Sequence, residues 1–178
     1  MVTALKTSIN ILLVFLFTAC TSVPDERMTP YVDFPETREL TARTLSLDSA
    51  LFRYPYRVRV QDDKAVVLDL HGTEYFFHAF HYPGFHYLSS FGKRGDAPEE
   101  MLSAENLRWN GNFLWTLDSN KSELTRLGFA SSGDSLLRLE TVSLDEELLR
   151  ALDFVQYDDS TFIIPDYSGD GRFCLVSR

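Results

Sequence analysis

Chemistry needs groups that can meet, and this chain offers four sets of residues to test for it. The first is histidine: His71, His78, His81 and His86 are all four of its imidazoles, and such a cluster is where a metal site would begin. If 75–82 is one strand, however, His78 and His81 are an odd number apart and point to opposite faces. They read as structural or surface residues. Asp166-Tyr167-Ser168-Gly169-Asp170-Gly171 opens like a calcium-binding loop. Its twelfth place falls on Ser177, which cannot supply the bidentate carboxylate, and Asp-Gly between two apolar runs is a hairpin signal. Tyr75, Phe76, Phe77, Phe80, Tyr82, Phe85, Tyr87 and Phe91 are dense enough for a stacking platform or a partner surface. They read first as the core of a sheet buried on both faces, with loop residues such as Tyr82-Pro83-Gly84 left exposed. Gly92 to Glu100 holds two glycines but no strand-to-helix context, so it reads as a turn and not as a phosphate cradle. No Ser/His/Asp or Cys/His arrangement follows from spacing. No catalytic residue, metal ligand or cofactor is therefore assigned, and the ligand-binding residues are unknown.

Cys20 is the residue with the clearest chemical destination. Lys6 supplies a positive start, residues 9–17 form an apolar run broken by Asn10, and Phe17-Thr18-Ala19-Cys20 closes it. The run is too short to span a bilayer comfortably, and it is set aside as a targeting segment. It resembles the bacterial lipoprotein signal, in which the cysteine after small residues is acylated. Phe17 stands where that pattern usually has Leu. Lipid on Cys20 would hold the protein on a membrane surface without spanning it, because several acyl chains anchor far better than one. An ordinary secretory signal with an incidental cysteine is the alternative. The only other cysteine, Cys174, sits in Phe173-Cys174-Leu175-Val176 and reads as a small buried hydrophobe; a Cys20–Cys174 disulfide is the rival. Residues 20–50, rich in Thr, Ser, Pro and charge, read as a tether with a strand near its end. Asp25-Glu26 has the look of the surface-export signal of some Bacteroidetes lipoproteins.

A net charge of −9 argues against nucleic acid, whose binders need a basic face to displace counterions. It argues equally against anionic membrane surfaces. With 44% hydrophobic and 13% aromatic residues, the chain can bury a core.

The elements that position these residues come from a repeat. Val66-Val67-Leu68-Asp69, Leu114-Trp115-Thr116-Leu117-Asp118 and Phe162-Ile163-Ile164-Pro165-Asp166 end in aspartates spaced 49 and 48 apart. A polar turn precedes each: Asp62-Asp63-Lys64, Asn110-Gly111-Asn112 and Asp158-Asp159-Ser160. Before each turn stands another short segment, 57–60, 105–108 and 153–156. Val58 and Val60 alternate with Arg57 and Arg59, the period of a half-buried strand. A third strand follows each aspartate, and His86 to Phe91 and Ser135 to Val142 supply a fourth. Four antiparallel strands per unit make a β-propeller blade. The expected fold is all-β, with blades at about 54–100, 101–150 and 151–178 within a body spanning 51–178, and at most a turn or two of helix over 145–152. The three aspartates are expected to accept hydrogen bonds from turn amides. This gives about 2.6 blades, where closed rings need at least four. Either the chain is the N-terminal half of a longer six-bladed ring, or arcs self-associate to complete one.

Three stretches resemble the TolB-like six-bladed propeller lipoproteins of Bacteroidetes. They are Tyr54-Pro55-Tyr56-Arg57-Val58-Arg59-Val60, Val66-Val67-Leu68-Asp69, and above all Ser90-Phe91-Gly92-Lys93-Arg94-Gly95-Asp96-Ala97-Pro98-Glu99-Glu100. The last is similar to the family's Phe-Gly-x-x-Gly-x-Gly-Pro-x-Glu connection, with Ala97 in place of a glycine. The resemblance covers about 45–178. It implies a six-bladed fold and an envelope lipoprotein on the periplasmic face or cell surface of the outer membrane, and no reaction. The leading expectation is a binding or scaffold module for a glycan or protein ligand. A glycan- or lactone-processing hydrolase with a channel-centred site is the alternative, and a truncated, non-functional frame is the third reading.

Overall fold

The computed structural model describes residues 36–45, 47, 50–144, 148, 150–168 and 172–178. The signal segment, Cys20, Asp25-Glu26, Gly169-Asp170-Gly171 and, of the helical turn expected over 145–152, residues 145–147 and 149 lie outside the described residues. The chain divides into two units, 1–43 and 44–178, and the architecture below is that of the second.

Strands β1 (Pro55–Gln61), β2 (Lys64–Asp69), β3 (Tyr75–His81) and β4 (His86–Lys93) form one antiparallel meander. β5 (Asn106–Asn110), β6 (Phe113–Asp118), β7 (Glu123–Phe129) and β8 (Leu136–Ser143) form a second. β9 (Val155–Gln156), β10 (Thr161–Asp166) and β11 (Arg172–Ser177) form a third of three strands. The described residues contain no helix. Propeller blades with an unfinished third are therefore what the repeat encodes.

The first two blades turn from first to second strand in two residues, with positive φ at Asp62 (50°) and Gly111 (53°). Asp, Asn and Gly tolerate that left-handed conformation best. The third blade differs: four residues separate β9 from β10, and Asp158 accepts the Ser160 N–H at 2.8 Å within them. The longer loop slips the pairing by one, so that Phe162 faces Gln156 where its equivalent Leu114 faces Trp109.

Packing explains why both faces of each sheet are apolar. Val66, Leu68, Phe77 and Ala79 of the first blade close on Leu107, Leu114 and Leu127 of the second. Trp115, Leu117 and Leu124 close in turn on Phe154, Phe162 and Ile164 of the third, with the Trp115 and Phe162 rings edge-on at 4.7 Å. The first blade's other face, Ala65, Val67 and Phe80, is covered by Leu47, Ala50, Phe52 and Phe85. The aromatic run thus divides: Phe76, Phe77, Phe80 and Phe91 are core, while Tyr82 and Tyr87 are exposed. The third blade's forward face lies open, with Phe173 and Leu175 74% and 72% exposed.

The repeating aspartates are latches. Asp69, fully buried, accepts the N–H groups of Arg53 and Tyr54 at 2.7 and 2.5 Å. Asp118 accepts those of Leu102 and Ser103 at 2.8 and 3.2 Å, the same offsets back along the chain. It also takes the turn amides of Asn120 and Lys121 at 3.1 and 3.0 Å. Asp69 and Asp118 therefore pin the segment leading into the first strand of their own blade, a role beyond the turn-amide expectation, which Asp118 also meets. Asp166 meets that expectation through the Ser168 N–H in its own turn, and the lead-in is tied by Tyr167 N–H to Arg150 C=O and by the Arg150 N–H, which helps to hold the Asp166 carboxyl low.

The connection after β4 shows why its sequence tolerates Ala97. Gly92 has φ 65° and a Cβ there would lie 2.6 Å from the Phe77 ring, so glycine is required. Ala97 has no left-handed backbone and needs none.

Candidate functional site

The first strands of successive blades run side by side, β1 joined to β5 by the Arg59 Nε–H donating to the Leu107 carbonyl at 3.2 Å. Between β1, β5 and β9 opens a groove of about 630 Å³, lined among others by Arg59, Gln61, Arg108, Trp109, Gln156 and Tyr157. Arg57 and Arg59 project from the face of β1 that meets the second blade, because they pair across the sheet with Leu68 and Val66. This inverts the expected sense of the strand: the arginines are half-buried and the alternating Val58 and Val60 are 47% and 44% exposed.

Charge along this groove is uneven. Arg108 grips Asp153 in a fork, Nη2 donating to both carboxylate oxygens at 2.9 Å, and Asn106 Nδ2 donates to the same carboxylate. Among the described residues Arg59 has only carbonyl partners, Leu107 at 3.2 Å and Val58 at 3.5 Å. Burial pushes its guanidinium below the usual arginine range, neighbouring Arg57 and Arg108 push the same way, and Asp153 opposes them. The Arg57 guanidinium lies over the Tyr56 ring at 4.9 Å, and its Nε–H is buried with no acceptor among the described residues. The 49-residue spacing of Arg59 and Arg108, equal to that of Asp69 and Asp118, is the signal in the sequence that marks them as equivalent positions.

The histidines separate as their spacing requires. His81 is exposed beside Asp63 at 3.4 Å, whereas His78 is buried against the Phe52 ring. His71 packs against Tyr54, and His86 is exposed. The described residues contain no trio of His, Cys, Asp or Glu able to hold a metal. Sequence spacing missed one polar chain. His78 Nδ1 lies 2.7 Å from Ser90 Oγ, itself 2.8 Å from the Tyr87 hydroxyl, beside a cavity of about 340 Å³. The β3–β4 register, with Phe77 opposite Phe91, puts His78 directly across from Ser90. A serine–histidine pair is half of a nucleophile, but activation needs a third group to orient the base. Here Nε2 is buried with no partner among the described residues, and Asp69 is committed to backbone amides. Burial holds the His78 imidazole below its ordinary value, Asp69 opposing. The trio ties β3 to β4.

Asp166 turns its carboxylate onto Ser168, at 3.0 Å to N–H and 2.7 Å to Oγ, in the β10–β11 hairpin that the Asp-Gly signal predicted. Cys174 is a free thiol, half-buried, packed on the second core beside Val176.

Comparison with known proteins agrees with this geometry. The family described as TolB-like 6-blade propeller-like matches residues 33–178. A crystal structure of a Bacteroides fragilis protein described as exported superposes with a TM-score of 0.55 at 14% identity, over 73% of this chain. The chain spans 36% of the length of that protein. No curated protein matches the sequence.

Proposed function

The chain belongs to the TolB-like 6-blade propeller-like family, and from that premise we propose that it is an exported envelope protein whose propeller binds or scaffolds a glycan or protein ligand. Residues 1–19 are its signal, Cys20 its lipid attachment, 20–50 its tether to the outer membrane and 51–178 its binding body. The small-residue run before Cys20 and the exported character of the Bacteroides fragilis neighbour support the location. Further blades, from a longer chain or a second copy, would cover Phe173 and Leu175.

One observation carries the binding role: the groove along β1, β5 and β9 is walled by guanidinium, amide and aromatic side chains, a surface for holding a ligand. A channel-centred hydrolase has less support, because the carboxylates that line this groove, Asp158 and Asp159, are neighbours in one exposed turn, Asp158 bound there by Ser160, and Asp153 next to Phe154 is held by Arg108 and Asn106. A glycan array probed with the full chain tests the role. Binding that weakens when Trp109 is replaced by Ala supports it; an array without hits, or hits indifferent to Trp109, speaks against a ligand site on the inner strands.

A further inference from the structure

The groove repeats a motif with one charge changed. Arg59 and Arg108 hold the same place in successive blades, opposite Val66 and Trp115, the residues that lead the forward faces. Asn106 and Asp153 are equivalents too: in each, the side-chain Oδ1 accepts the N–H of the following residue at 2.8 Å. Between the second and third blades, therefore, a guanidinium meets a carboxylate. Between the first and second, Arg59 meets the junction where that carboxylate has become Asn106, and it settles for carbonyls. Neither Arg57 nor Arg59 has a carboxylate within ion-pair distance among the described residues.

Holding two like charges half-buried without a counter-ion is unfavourable for folding. The arrangement makes sense when an anion completes it. Resting on the reading of this groove as a ligand site, we propose that Arg59 in its wall, with Arg57 two residues along the same face of β1 and next to the groove's lining, forms a subsite for the carboxylate of an acidic saccharide. A guanidinium fork matches a planar carboxylate in two parallel hydrogen bonds. Trp109 and Tyr157 offer rings, and Gln61, Asn110 and Gln156 offer amides, along the same groove, the mixture that sugars use. Asp158 and Asp159 line the same groove, Asp158 bound into its own turn through Ser160. The overall charge of −9 repels long polyanions at a distance, so recognition is short-range and suits a ligand with few charges.

Titration calorimetry on the full chain tests this with three probes: tri-galacturonate, its neutral methyl ester and inorganic phosphate. Tri-galacturonate binds, and its affinity falls about tenfold or more in the ester and in Arg59→Gln, the loss of one charged hydrogen bond. Arg57→Gln weakens it as well, and Arg59→Lys restores part of the loss because it keeps the charge without the fork. Lys93→Gln, whose lysine pairs with Glu100 away from the groove, leaves binding unchanged. Circular dichroism confirms that Arg59→Gln folds, as expected for removal of a repulsive charge. Equal binding of acid and ester with no effect of Arg59→Gln overturns the anion subsite and leaves the binding role standing. Phosphate binding without saccharide binding overturns the saccharide assignment. Silence from all three probes, together with an empty glycan array, removes both.

Discussion

Replacing Asp118 by Ala tests whether the repeat is built on its latches. The carboxylate is 2% exposed and receives five donors: the N–H groups of Leu102, Ser103, Asn120 and Lys121 and the Ser103 hydroxyl. A hydrogen bond to a charged group contributes about 1.5–3 kcal/mol, and a buried donor left unpaired costs about 1–3 kcal/mol. The turn amides at Asn120 and Lys121 lie near solvent and recover water, so the loss rests on Leu102, Ser103 and the vacated volume. That gives about 3–4 kcal/mol. Asp166→Ala removes bonds from Ser168 at a more exposed turn, where Arg172 and the Arg150 N–H also act on the carboxylate, and should cost less than the Asp118 change. With a urea slope of about 2 kcal/mol/M for a domain of this size, the Asp118 variant unfolds roughly 1.5–2 M earlier than the parent and the Asp166 variant shifts by a smaller step. A negligible shift for Asp118→Ala would show that the spacing of aspartates does not mark a structural role, and an Asp166 shift as large as that of Asp118 would show that the third latch is as closed as the second.

Cys20→Ser should release the protein from membranes into the soluble fraction on cell fractionation; continued sedimentation with membranes removes the lipid assignment. Acid should destabilise the fold in two windows. His78 is held below its ordinary value by burial, so the unfolded chain binds that proton first and stability falls as pH drops below about 6.5. His78→Gln should flatten thermal unfolding between about pH 7.5 and 5.5. Asp63, Glu100, Asp158 and Asp166 are each held low by hydrogen bonds, from Lys64, Lys93, Ser160 and Ser168, so their contribution is present above the ordinary carboxylate range and fades beneath it. Replacing Phe173 and Leu175 by Ser should reduce self-association in light scattering with little change in unfolding midpoint, since both are mostly exposed. Unchanged association would place the sticky surface elsewhere.

Blade architecture was legible because one constraint repeats: a carboxylate at the end of the second strand must lie a fixed distance from the amides it pins, and that distance fixes the spacing of Asp69 and Asp118. The third copy keeps the letter in a more open setting. Asp166 preserves the spacing and feels the Arg150 N–H sixteen residues back, but it is half-exposed where Asp69 and Asp118 are buried, and Ser168 in its own turn supplies its N–H and hydroxyl. A sequence period records where a residue stands and not which donors reach it. The His78–Ser90–Tyr87 chain was hidden for a related reason. His78 and Ser90 meet across a hairpin only through the β3–β4 register, while Tyr87, opposite Phe80 beyond the shift after Ala79, reaches Ser90 along its own strand.

The inner strand carries this point into function. Alternation located β1 correctly, yet hydropathy alone assigns valine inward and arginine outward. In a propeller the first strand has two demanding faces, and the one that meets the next blade can take an arginine whose aliphatic stem packs while its head reaches a carbonyl. Once that inversion is recognised, Arg59 and Arg108 become comparable positions in one frame. The difference between them, Asn106 on one side and Asp153 on the other, becomes a specific signal. A scaffold needing only stability would satisfy both guanidiniums alike, since leaving one without a counter-charge lowers the stability of the fold. The groove departs from its own repeat at the single junction where a ligand's carboxylate would stand in for the missing aspartate.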